Sequence, residues 1–104
     1  MAISDKPWSR FEESDYTPEQ WYEACLIKPQ KSEYTAKTQA KLPVREPDGT
    51  LNRNGIHAAA AALAGARGGV KATPEEKRKA ARVLLRLYRE LEEEPPESIK
   101  RIAE

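Results

Sequence analysis

Residues 73–94 constrain the fold more than any other stretch, because they read as one long amphipathic helix with a defined start. Thr73 and Glu76 are spaced as a capping box, each side chain suited to the other's backbone N–H. Pro74 falls at the first helical position, where its missing N–H costs nothing, and Glu75 and Glu76 face the positive end of the helix dipole. Ala80, Ala81, Leu84, Leu87, Tyr88 and Leu91 recur at three- and four-residue intervals. Arg78, Lys79, Arg82, Arg86 and Arg89 fall on the opposite arc of a 3.6-residue wheel. One face therefore requires a core, and the other faces water or an anion.

The stripe needs a second surface, and residues 52–69 offer one. Asn52 or Asn54 can cap a helix holding Ile56, His57, an unbroken alanine run over 58–62, and Leu63, with Gly68 and Gly69 ending it. Alanines let another helix approach closely, so this helix is expected to lie across the stripe with Ile56 and Leu63 as pegs. That makes a helical hairpin with a Gly-Gly turn.

Earlier in the chain, Thr17, Pro18, Glu19 and Gln20 repeat the capping grammar and launch a short helix through about Ile27, with Trp21, Ala24 and Cys25 along one side. Pro29 stops it. Residues 30–41 are polar, without a helical stripe, and read as a linker or surface loop anchored by Tyr34. Glu46, Pro47, Asp48 and Gly49 suit a tight turn, while Pro43 and Pro47 remove ladder donors, so any hairpin there would be peripheral. Pro95 and Pro96 break the long helix, and Pro96 can start a last short one whose Ile99 and Ile102 fold back onto the hairpin.

The expected fold is mainly all-α: a small helical domain of about four helices built on an antiparallel helical hairpin, with a Pro/Gly turn or tiny hairpin near 42–51. Residues 16–104 form this single domain, and residues 1–15, carrying Trp8 and Phe11, form a flexible N-terminal segment.

The chain has 104 residues, 38% hydrophobic and 34% charged. Chains of this size bury only about two-thirds of their unfolded surface, which argues against an elaborate active-site cavity. No apolar run approaches the roughly 18 residues of a membrane helix, and the N-terminus lacks the apolar stretch of a secretory signal. A cytoplasmic protein is expected, and the lone Cys25, which cannot form an internal disulfide, fits a reducing compartment.

Charge is strongly sorted. Residues 1–23 carry a net −4, residues 24–49 a net +2, residues 50–89 a net +7 and residues 90–104 a net −4, for a formal total of +1. A basic centre between two acidic ends suits either an anion-binding surface or charge pairing that the acidic ends themselves satisfy. Acidic ends would screen the basic face from nucleic acid, so self-complementation or contact with protein is the favoured use.

Residues for chemistry are few. His57 is the only histidine and Cys25 the only cysteine, which excludes a His-based metal cluster or a thiolate zinc site. A Cys25–His57 pair would need an approach that the sequence does not provide, and a structural histidine and a small apolar cysteine on a helix explain both. Glu90, Glu92, Glu93 and Glu94 crowd a helix end and read as a solvated or partner-facing acidic patch. Gly65, Gly68 and Gly69 lack the preceding strand and the following Gly-Lys-Ser/Thr of a phosphate loop, and read as a helix end and turn.

No catalytic, cofactor-binding or metal-binding residue is assigned. The expected site is a partner- or anion-binding face made of Arg53, Arg67, Lys71, Arg78, Lys79, Arg82, Arg86 and Arg89. A protein-interaction module is the first reading, and nucleic-acid binding through the basic face of helix 74–94 is the alternative. Intrahelical Glu-to-Arg pairing would explain the same residues without a ligand.

Three stretches carry a resemblance: KLPVRE over 41–46, LNRNGIHAAAAALAGARGGV over 51–70, and LYRELEEEPPES over 87–98. They resemble a short uncharacterised domain of bacteriophage and prophage proteins, found alone or beside head-maturation proteins such as prohead proteases. The resemblance covers roughly residues 16–98, and the Ala-rich run followed by Gly-Ala-Arg-Gly-Gly is its most specific part. It implies an accessory or capsid-assembly role, with a phage or host protein as partner and a cytoplasmic or virion-associated location. It implies no reaction and carries over no site residue.

Overall fold

Thr73 opens the longest helix. In a computed structural model, which describes residues 2–65 and 69–104, its hydroxyl accepts the Glu76 N–H at 3.1 Å, and the Glu76 carboxylate accepts the Thr73 N–H at 2.8 Å. The chain order is β1 (Ile3–Ser4), α1 (Pro18–Ala24), β2 (Cys25–Ile27), β3 (Lys41–Pro43), β4 (Leu51–Asn52), α2 (Arg53–Leu63), α3 (Pro74–Leu91) and α4 (Glu97–Ile102), with short 3-10 turns between them. α3 ends three residues before the expected Glu94. Glu92 takes a left-handed conformation at φ 59°, and the next N–H, on Glu93, donates back to the Tyr88 carbonyl at 3.0 Å.

The expected all-α class is overturned: this is a mixed α/β domain. β1 pairs in parallel with β4, and β2 pairs antiparallel with β3 in the register Cys25 to Pro43 and Ile27 to Lys41. The sheets escape sequence reading because each strand is only two or three residues long, too short to show an alternating period. The expected helix through Ile27 stops at Ala24, and its last three residues form β2 instead. Nor is the pairing near 42–51 peripheral. Ile27, Leu42, Val44 and Leu51 are all buried in the main core.

The Glu46–Gly49 turn forms as its residues suggest, with Gly49 at φ 93° and its N–H donating to the Glu46 carbonyl at 2.8 Å. Leu42 also lies at positive φ, 63°, an uncommon conformation for a bulky residue, and its side chain is buried.

The main core joins α2, α3 and α4 to β2, β3 and β4. Ile56, Leu84 and Ile99 are fully inaccessible, and Ala59, Ala60, Ala80 and Ala81 fill the space between them. The alanines of α2 and α3 thus meet as small residues allow, and α4 returns to the pair through Ile99. α2 ends at Leu63, with Gly65 at φ 111° in the turn that follows; Gly68 lies outside the described residues.

A second cluster packs Tyr16, Trp21, Ala24, Cys25 and Ala40, with Phe11 and Tyr34 at its margin. It anchors the polar stretch 30–41, since Trp21 Nε1 donates to the Lys37 carbonyl at 3.0 Å and Tyr34 Oη to that of Pro18 at 2.8 Å. Residues 2–15 are placed along the body. β1 extends β4, and the Trp8 ring lies so close to Gly55 that a Cβ there would come within 2.9 Å of it.

Asn52 joins these parts. Fully buried, it accepts the Gly55 N–H at 2.8 Å as cap of α2 and donates to the buried Glu46 carboxylate at 2.9 Å and the Lys6 carbonyl at 3.1 Å.

Candidate functional site

The phase of α3 decides what the domain shows to its surroundings. With Ala80, Ala81, Leu84, Tyr88 and Leu91 turned inward, Lys79, Arg82, Arg86 and Arg89 are exposed, and Val83, Leu85 and Leu87 are left half-buried between them. The helical spacing predicts Leu87 in the core. Leu87 is instead half-buried at the margin of the core, and an open groove on α3 is lined by six residues: Lys79, Arg82, Val83, Leu85, Arg86 and Arg89.

The groove does not end at α3. Val83 and Arg86 also line a concavity with Arg45, Leu51, Leu87 and Glu90. Leu87 and Arg45 continue into another with Leu26, Glu23 and Lys28, where β2 lies against α3. Arg45 and Glu23 in turn border a hollow between α1 and the 46–49 turn, lined by Glu19, Lys31 and Asp48. The four adjoin through shared residues, and together they are called the trough. Its linings include the aliphatic Leu26, Val83 and Leu87, one end is rich in arginine and lysine, and the other carries Glu19, Glu23 and Asp48 together with Lys31 and Arg45.

The eight expected site residues separate into different roles. Arg53 is engaged elsewhere: its Nε donates to Asp5 at 2.6 Å and its Nη1 pairs with Glu93. Asp5 first and Glu93 second hold the guanidinium still more firmly protonated. Arg78 and Arg82 each donate from Nε, at 3.0 Å, to the main-chain oxygens of Glu104 and Ala103. They thereby satisfy carbonyls at the negative end of α4. Lys71 is exposed, and its carbonyl accepts from Lys41 Nζ at 2.6 Å. Arg67 lies outside the described residues. Only Lys79, Arg82, Arg86 and Arg89 are brought together at the trough.

Among the described residues no ion pair within 4.0 Å involves those four side chains. The intrahelical Glu-to-Arg pairing that would explain these residues without a ligand is thus not formed among the described residues. Glu75 and Glu76 lie at the start of the helix, Glu76 occupied by its cap, and Glu90 turns toward the Arg45 side.

His57 is also accounted for by structure. Its Nε2 lies 2.7 Å from Glu93 Oε1, and its ring stands 5.8 Å from that of Tyr88. Glu93 is the shared acceptor of a clamp, with its carboxyl held below the usual range by His57 first and Arg53 next. The clamp ties residues 2–15, α2 and the end of α3 together. Cys25 sits on a strand, not a helix, and burial pushes its thiol up to about 12. It is therefore held in the unreactive form.

Sequence reasoning missed Arg45, Leu26 and Val83 as trough residues, and placed Glu19 in a helix start and Glu23 within an acidic end. A usable signal existed in α3: Val83 and Leu87, four residues apart, lie at the edge of the buried stripe, an arrangement that leaves an apolar shoulder beside the arginines. Among the described residues there is no cluster of three metal-ligating side chains, and no helix long and apolar enough to cross a membrane. No protein-family model, curated protein or solved structure matches the chain.

Proposed function

We propose that the protein is a non-catalytic interaction module whose trough receives an acidic, amphipathic protein segment. The observation that carries this reading is the union of an aliphatic floor at Val83 and Leu87 with four cations that have no ion-pair partner among the described residues. Exposed arginine beside exposed aliphatic surface is the composition of protein interfaces, where apolar contact supplies affinity and charge supplies orientation. The held-down reactivity of Cys25 and the engagement of His57 by Glu93 support a module without catalysis. The resemblance over 41–46, 51–70 and 87–98 supports a phage or prophage accessory role, cytoplasmic or virion-associated, with a capsid-assembly or host protein as partner.

The unpaired cations favour a second reading, binding of nucleic-acid phosphates by the same end of the trough. Against it stands the aliphatic floor, which offers no aromatic ring for base stacking. Titrating the protein with an acidic amphipathic helical peptide, and separately with duplex and single-stranded DNA and RNA, distinguishes the two. The module reading expects the peptide to perturb Val83 and Leu87 methyl resonances and Arg86→Glu to abolish that change. Nucleic-acid binding whose affinity falls about tenfold per tenfold salt for each phosphate contacted, with no methyl response to the peptide, would overturn it.

A further inference from the structure

None of residues 2–15 is buried, whereas Leu51, Asn52 and Gly55, against which residues 3–8 lie, all are. The segment covers finished parts of the fold while burying little of itself, and it is held as an extended peptide is held. Ile3 and Ser4 add a parallel strand to β4. Beyond them the main chain is gripped by side-chain amides, since Asn52 Nδ2 donates to the Lys6 carbonyl at 3.1 Å and Asn54 Nδ2 donates to the same oxygen at 3.0 Å. Contacts of this kind supply affinity without regard to sequence.

Three side chains of the segment make the seat selective. Ile3 is half-buried against the main core. Asp5 accepts from Arg53 Nε at 2.6 Å. Trp8, half-buried, lays its ring on the bare backbone of Gly55, where a Cβ would come within 2.9 Å of it. The seat is organised by groups outside the segment. Glu93 pairs with Arg53, and the fully buried Asn52 is fixed by its bonds to Glu46 and to the Gly55 N–H. A site preorganised in this way binds at lower entropic cost.

We infer that this seat is a peptide-binding site that residues 3–8 occupy as an internal ligand. Its partner is an extended protein segment with an aliphatic residue, an acid two positions on and an aromatic ring three positions beyond the acid. The site shares no residue with the basic groove on α3. Release of the internal segment is easy for the same reasons that make it a ligand: β1 is two residues long, and the Asp5 side chain is 70% exposed, so its ion pair orients more than it stabilises. A tethered ligand competes at high effective concentration, and a free peptide binds more weakly in proportion to the fraction of molecules whose seat is open.

The test is titration of the full-length protein with a synthetic peptide of residues 2–11 carrying a nitroxide at its N-terminus, followed through the amide signals of Asn52 and Gly55. Wild type is compared with a full-length variant combining Asp5→Arg and Trp8→Ala, which unseats the internal copy. The variant is expected to keep slow amide exchange at Leu84, and to bind the peptide about tenfold more tightly than wild type or better, with broadening centred on the seat. A peptide carrying the same two substitutions should not bind. Absence of broadening at Asn52 and Gly55 in the variant, or equal broadening by the substituted peptide, would overturn the site. Equal affinity of wild type and variant would overturn its occupation by the internal segment. Loss of Leu84 protection in the variant would also overturn the proposal, since a segment that the core requires cannot be exchanged for another.

Discussion

The two clusters that hold this domain together differ in how they obtain their order. The aliphatic core is built from non-directional contacts: Ile56, Leu84 and Ile99 are completely enclosed, and alanines set the distance between the helices. The aromatic cluster is directional. Tyr16 and Trp21 meet edge to face at 5.1 Å, and each also donates to a main-chain carbonyl, Tyr16 Oη to Arg45 at 2.6 Å and Trp21 Nε1 to Lys37 at 3.0 Å. The first kind of order appears in the sequence as helical period. The second takes chain that has no period and ties it down at a few polar points, as Tyr22 Oη also does at the Pro29 carbonyl, 2.8 Å away.

The comparison predicts unequal responses to damage. Leu84→Ala opens a cavity where helix, helix and strand meet, and should cost about 3–5 kcal/mol of global stability, read as a lower denaturant midpoint. An unchanged midpoint would mean that the aliphatic cluster is not what holds the domain together.

Asn52→Ala comes next, at roughly 2–4 kcal/mol. It removes the cap of α2 and leaves the buried Glu46 carboxylate with only Lys6, at 4.0 Å. Loss of the cap alone would be about 1 kcal/mol, so an effect of that size would show that Glu46 finds another partner.

A third effect is confined to the aromatic cluster and depends on pH. Burial pushes Cys25 from its ordinary 9.0 up to about 12 and Tyr16 from 10.0 up to about 12. Because the folded state holds these protons more tightly than the unfolded chain, their contribution is complete below pH 9. It declines above that, where the unfolded chain ionises first, and is lost by about pH 12. Labelling of the Cys25 thiol should therefore be slow at neutral pH and accelerate between pH 9 and 12 more than thiolate formation in an unfolded control accounts for, while amide exchange at Leu84 stays slow in the lower part of that range. Simultaneous loss of protection at both places would make the two clusters one cooperative unit.

What could be read from sequence follows the same division. The starts of α1 and α3 were legible, because Thr17 with Gln20 and Thr73 with Glu76 are local devices that need nothing beyond the neighbouring turn. The inward face of α3 was legible from its period, apart from Leu87. The sheets were not, because β1 and β4 are two residues each and pair Ile3 with Leu51, on the far side of two other strands and a helix. The basic face was legible only as composition. Nothing local distinguishes Arg53, drawn into a clamp with Asp5 and Glu93, from Arg86, which stays open.

Sequence by itself determined the starts of α1 and α3, the buried stripe of α3 apart from Leu87, the alanine surface of α2 and the Glu46–Gly49 turn, because capping, period and glycine's access to positive φ act within a few residues. Tertiary structure alone decided that Cys25–Ile27 is a strand, that Asn52 and Glu46 share a buried hydrogen bond, and which cations remain open. It also brought the concavities of the trough side by side, with Val83 and Leu87 shared between two of them. Each of those outcomes depends on which distant segment arrives beside a residue, and that is settled by the packing of the whole chain.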